Sequence, residues 1–120
     1  MSEAKINFAA TSWDEPDVGV RSKVAVRNGK KLRIVEFTDR FIEHDWCRNG
    51  HIGYVLEGDL EIHFSDRVES FTAGDGIMIA GGEGERHKAK VLGSAVRLVL
   101  VEDALYSMTS PDSSSERTRD

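Results

Sequence analysis

From Ser22 onward the chain alternates short runs of apolar and β-branched residues with clusters of turn-forming ones. Residues 23–27 and 31–38 flank Asn28-Gly29, a pair that tolerates the positive φ angles of a tight type I′ turn and so predicts a β-hairpin. Further runs follow at 52–56, 60–64, 67–71, 77–80, 87–92 and 95–101. Between them stand Gly58-Asp59, Ser65-Asp66, Gly74-Asp75-Gly76 and Gly93-Ser94, with Gly93-Ser94 expected to close a last hairpin. No stretch in this region has the 3.6-residue periodicity of a helix over a useful length. Short, evenly spaced strands of this kind predict an all-β, antiparallel fold with little helix, and the jelly-roll barrel (double-stranded β-helix) is one such solution.

The flanks differ from this middle. Residues 1–21 mix isolated apolar positions (Ile6, Phe8, Trp13, Val18) with the acidic stretch Asp14-Glu15-Pro16-Asp17. They predict an irregular N-terminal arm with at most one short strand, docked on the outside of a barrel or on a partner subunit. The barrel is expected over 22–107. Residues 108–120 run through Ser, Asp, Arg and Thr with no apolar residue after Met108, the composition of a disordered tail.

Composition narrows the partners. A chain of 120 residues with 39% hydrophobic content makes one domain with one modest core. A net charge of −5 argues against nucleic acid, since Arg27, Lys30, Lys31 and Arg33 straddle a predicted hairpin and are the only basic cluster. A single cysteine, Cys47, permits no internal disulfide. No apolar run is long enough to span a membrane and no signal peptide is evident, so a cytoplasmic, soluble protein is expected.

The string His51-Ile52-Gly53-Tyr54-Val55-Leu56-Glu57-Gly58-Asp59 resembles the first motif of the cupin superfamily, in which two histidines and an acidic residue precede a glycine at set spacing. The second motif, which ends on a histidine, is answered by residues 74–87, from Gly74-Asp75-Gly76 to His87. The resemblance covers roughly residues 22–101 and implies a barrel with an internal pocket and a bound metal. Six residues separate His51 from Gly58, which puts His51 where most metal-binding cupins carry glutamate. Counting further back puts Trp46 and His44 at the two histidine positions; a gap one residue shorter selects Cys47 and Asp45 instead. Ala80 replaces the motif's proline, and the loop 81–86 is about two residues longer than usual.

The ligand set implied by the resemblance is His44, His51 and His87. Three imidazoles suit a divalent transition metal (Zn, Fe, Ni, Cu or Mn) and leave positions open for water or substrate. Strand alternation directs Gly53 and Val55 to the same side as His51, so Gly53 is expected to leave space above it. Cys47 is a possible thiolate ligand, but a lone cysteine is more often a small buried apolar residue, and it is expected near the metal and outside its coordination shell. His63 alternates against Leu60, Ile62 and Phe64 and reads as a rim or surface residue; Glu57 reads as structural. Trp46, Phe41 and Tyr54 are core or interface aromatics first and ligand contacts second. The glycine-rich loop 81–86 matches no nucleotide fingerprint and reads as a mobile rim, with Glu85 or Arg86 free to meet a polar substrate. No nucleophile turn is present.

These readings lead to a small-molecule-binding cupin, expected as a metal-dependent enzyme of oxygenase, isomerase or lyase type acting on a small organic substrate. The alternative is a non-catalytic sensor or carrier using the same pocket. A third idea, a domain kept only for assembly, is disfavoured by the retained histidines. The catalytic residues are unknown at this level. A homodimer is expected, because the arm carries more apolar residues than one barrel needs.

Overall fold

The computed structural model describes residues 4–104, so the expected tail over 108–120 lies outside the described residues. Seven strands form the fold among the described residues: β1 (Asp14–Asp17), β2 (Val20–Arg27), β3 (Lys30–Thr38), β4 (His51–Phe64), β5 (Val68–Thr72), β6 (Gly76–Ile79) and β7 (His87–Asp103). Among the same residues the only helical pieces are 3₁₀ turns at Phe8–Ala10 and Glu83–Glu85. No helix among the described residues is long and apolar enough to cross a membrane. All these pairings are antiparallel, in the order β1-β2-β3-β7-β4-β5, with β6 beside the first half of β4 on the same edge as β5, away from β7. This is the all-β jelly roll expected from the strand pattern.

Asn28-Gly29 makes its turn as expected, with φ of 53° and 75° joining β2 to β3. Gly58 and Gly93 behave differently. Both take positive φ, 88° and 81°, yet neither ends a strand: the runs expected at 52–56 and 60–64 are the two halves of β4, and those at 87–92 and 95–101 fuse into β7. The register between the two long strands shifts around Gly58, so they bend together there. A side chain at Gly58 would strike Ala95 O at 2.3 Å, which is why the bend needs glycine. The bend lets each half of β4 meet different partners: 51–54 pair with β6, while 59–63 pair with β5.

Alternation then sorts the side chains. Val35, Val55, Val96, Leu98 and Leu100 point inward with Leu60, Ile62, Phe64, Ile77 and Ile79 to make one core. Each such side chain contributes on the order of 1.5–3 kcal/mol when fully buried. The outward positions Ile52, Tyr54, Leu56, Met78 and Val101 are exposed. The N-terminal arm docks on the outside of the barrel: Arg21 and Lys23 of β2 lie over the Trp13 ring at 4.1 and 4.8 Å, and Lys23 Nζ donates to Phe8 O at 2.7 Å.

Candidate metal centre

The core is apolar through most of the barrel and turns polar where β4 begins and β7 begins. His51 is the first residue of β4 and His87 the first of β7. Cys47 lies in the connection from β3 to β4, and a two-way backbone bridge pins it to His87: Cys47 N–H donates to His87 O at 2.8 Å, and His87 N–H to Cys47 O at 2.9 Å. Gly82 N–H also donates to Arg48 O, which ties the connection to the loop before β7. Chain segments forty residues apart thus converge.

Cys47 Sγ and one nitrogen from each of His51 and His87 lie within 4.8 Å of one another. Cys47 Sγ is 3.6 Å from His51 Nε2, and the two imidazoles meet edge to face with centroids 5.1 Å apart. Each ring is oriented through its other nitrogen. His51 Nδ1 donates to Glu102 Oε2 at 2.6 Å, and His87 Nδ1 donates to Glu85 O at 2.9 Å. A carbonyl only accepts, so Nδ1 of His87 carries a proton and Nε2 is the nitrogen left to face Cys47. The side chains of His51 and Glu102 are only 14% and 11% exposed.

The donor set fits a metal. Tetrahedral bonds of about 2.3 Å to sulfur and about 2.0 Å to nitrogen set those atoms about 3.5 Å apart, close to the observed 3.6 Å. A hydrogen bond from each ligating histidine's second nitrogen to a carboxylate or carbonyl is the usual support for such ligands.

Charge follows the geometry. Burial pushes the Cys47 thiol up, but the hydrogen bonds to His51 and His87 outweigh it and bring the pKa down to about 6. Burial works against charged His51 as well, and its bonds to Cys47 and Glu102 overcome this and raise it to about 9. His87 is raised for the same kind of reason, through Cys47 and the Glu85 carbonyl, against the effect of burial. Glu102, which burial alone would raise, is held at about 2 by His51 and Arg33. Glu43 goes the other way. Burial raises its carboxyl above the ordinary value, only partly offset by the Ala89 N–H that its Oε1 accepts at 2.7 Å and by the nearby His87 and His51.

Of the three histidines expected at the metal, the structure brings together His51 and His87. His44 is exposed in the connection and is not among the donors that meet there. Cys47, expected near the metal, completes the cluster, because the bridge to His87 brings its sulfur beside both rings. Gly53 opens no space above His51: a Cβ there would meet Val99 O at 2.4 Å and Leu100 Cδ2 at 2.6 Å, so the glycine serves close packing of β4 against β7. His63 is a rim residue as expected, 39% exposed and 2.9 Å from Glu61 Oε1. Phe41 stacks on Phe37 and Tyr54 faces outward, while Trp46 is covered by Arg86 and Lys88. The loop 81–86 is not a free rim, since Glu83 pairs with Arg48 and Arg86, and Glu85 with Arg67. Glu102 and Glu43 went unread in the sequence, and Arg33 was read only as part of a basic cluster at the first hairpin. An acidic residue at an inward position of a late strand is the only local signal for Glu102, whose pairing depends on strand register.

No family model matches the sequence, and no curated protein matches it. Solved structures do. An RmlC-like cupin from Shewanella frigidimarina aligns over 86% of this chain and 92% of its own, with 15% identity and a TM-score of 0.67. The polyketide cyclase RemF from Streptomyces resistomycificus aligns over 92% and 95%, with 16% identity and a TM-score of 0.66. The FeII form of HppE aligns over 85% of this chain and 62% of its own length, with 12% identity and a TM-score of 0.66. These likenesses agree with the strand order: the chain has the cupin fold.

Proposed function

We propose that the chain binds one divalent transition metal through Cys47 Sγ, His51 Nε2 and His87 Nε2, and that the loaded centre acts as an enzyme on a small organic molecule. The observation that carries this reading is the pair of Nδ1 hydrogen bonds, to Glu102 and to the Glu85 carbonyl, which leave both Nε2 atoms turned toward one thiol. One thiolate and two imidazoles suit Zn, Fe or Cu better than a hard cation such as Mg. Three protein ligands leave a coordination position open, and a bound metal supplies a Lewis acid there.

The chain's own residues divide the remaining work. Glu102 holds the His51 ring in orientation, the Cys47–His87 bridge fixes the thiol, and Glu43, held toward its neutral form beside both histidines, is the proton carrier. Glu43 favours an enzyme of oxygenase, isomerase or lyase type over the alternative of a passive sensor, which needs no such group. The likeness to a polyketide cyclase and to an FeII protein is consistent with this reading. Metal analysis of protein purified without a histidine tag tests it: one transition metal per chain, lost with His51→Ala, is expected. No metal in the purified protein and no uptake of Zn, Fe or Cu would overturn it.

A homodimer belongs to the same proposal. Ile52, Tyr54, Leu56, Met78 and Val101 form an exposed apolar face across β6, β4 and β7, the kind of surface that marks an interaction site. Sedimentation at micromolar concentration should give a dimer, and Met78→Glu should give a monomer.

A further inference from the structure

The proposed centre borders a second cluster inside the barrel. Arg33 and Lys31 share the inward face of β3 with Val35, and Glu102 shares that of β7 with Leu98 and Leu100. Arg33 Nη2 donates to Glu102 Oε2 at 2.7 Å, and Lys31 Nζ lies 3.9 Å from Glu102 Oε1. Glu102 also accepts from His51, so one carboxylate answers three donors. Arg33 Nε is buried with no partner, a state that costs free energy unless another group fills it. The other such atom, Arg97 Nε, belongs to the Arg21–Glu36–Arg97 ladder on the outer face, away from the metal donors.

The charge balance points the same way. Arg33, Lys31 and a bound dication face Glu102 and the Cys47 thiolate, and the surplus stays positive even with Glu43 ionised. The side chains of Lys31 and Arg33 are 32% and 26% exposed, so a solute can reach the ammonium and the outer end of the guanidinium, though not the buried Nε. Guanidinium binds carboxylate through two parallel N–H donors, and Glu102 engages only Nη2 of Arg33.

We infer that the small molecule taken by this barrel carries a carboxylate, held by the Arg33 guanidinium and the Lys31 ammonium beside the metal centre. This rests on the proposed function in that the bound molecule is the one the centre works on; the anion site itself uses residues that are not metal donors.

The test uses the full chain loaded with Zn and a panel of acetate, propionate, benzoate and succinate beside their neutral amides, read by calorimetry and thermal shift. At least one carboxylate should bind and its amide should not. With every variant saturated with Zn, Arg33→Gln should weaken that carboxylate at least about tenfold, and Lys31→Gln severalfold. Arg33→Lys, which keeps the charge against Glu102, guards against a folding defect and should recover part of the affinity. Equal binding by wild type and both glutamine variants, amides that bind as well as acids, or no binding across the panel would each overturn the inference. Arg33-dependent carboxylate binding in a protein that takes up no metal would instead sink the metal centre and leave the anion site standing.

Discussion

Strand β4 carries a histidine near each end, each hydrogen-bonded to a carboxylate. His63 meets Glu61, two residues away on its own strand, and both side chains stand partly in solvent at the rim. His51 meets Glu102, which comes from β7 and is itself held by Arg33 of β3. The first pair could exist on any exposed strand and is worth little there. The second needs three strands in register, excludes most water, and has a thiol on its far side. What separates a site from a surface ion pair here is convergence from distant segments, because only that directs a second and third donor at the free nitrogen.

The largest effect expected from this contrast is on metal content. His51→Ala should remove the metal altogether, whereas His63→Ala should leave one per chain, as measured by elemental analysis after gel filtration. Equal content in the two variants would erase the distinction between the ends of β4. Next comes the choice between Cys47 and His44. Cobalt-loaded wild type should show a thiolate-to-cobalt charge-transfer band; Cys47→Ser should lose it and weaken binding about a hundredfold or more, and His44→Ala should change neither. No such band in wild type, with binding weakened by His44→Ala and not by Cys47→Ser, would return the third position to histidine.

The site was half legible in the sequence, and the division has a physical cause. His51 and His87 stand at the ends of strings whose glycines and spacing are local features. Cys47 was readable as a residue but not as a donor, because its orientation comes from a backbone bridge to a residue forty positions later. The pairing of Glu102 with Arg33 was invisible for a similar reason: it follows from the β3–β7 register, which no window of sequence contains. The fold fared better, since Asn28-Gly29 and the period-two alternation are local. Gly58 and Gly93 were misread because positive-φ glycine marks a bend within a long strand as readily as a turn between two short ones.

A smaller effect separates the two carboxylates. Glu102→Gln should lower metal affinity about 10- to 100-fold, the usual cost of losing the group that orients a histidine ligand, while Glu61→Gln should leave it unchanged. Competition with a fluorescent chelator measures both. If Glu102→Gln also leaves affinity intact, the hydrogen bond to His51 serves only packing.

The smallest effect lies in the pH dependence of stability without metal. Glu102 titrates at about 2 in the folded chain against an ordinary 4.5. Its contribution is therefore present above pH 4.5 and is lost as pH falls toward 2. His51, raised from 6.5 to about 9, contributes below 6.5 and loses that contribution as pH rises through 9. Cys47, lowered from 9 to about 6, does the reverse and loses its contribution as pH falls through 6. Between about pH 6.5 and 9 the rising Cys47 contribution offsets the falling His51 contribution, so the thiolate–imidazolium pair gives a flat profile there, with Glu102 adding a separate acid limb. Urea midpoints taken in chelator from pH 2 to 10 should show that plateau in wild type. Cys47→Ser should leave the His51 contribution uncompensated and lose stability as pH rises above 6.5, Glu102→Gln should flatten the limb below 4.5, and Glu61→Gln should follow wild type throughout. A Glu102→Gln profile that matches wild type below pH 4.5 would mean that His51 and Arg33 do not hold Glu102 as the geometry requires, and the two ends of β4 would then differ in exposure alone.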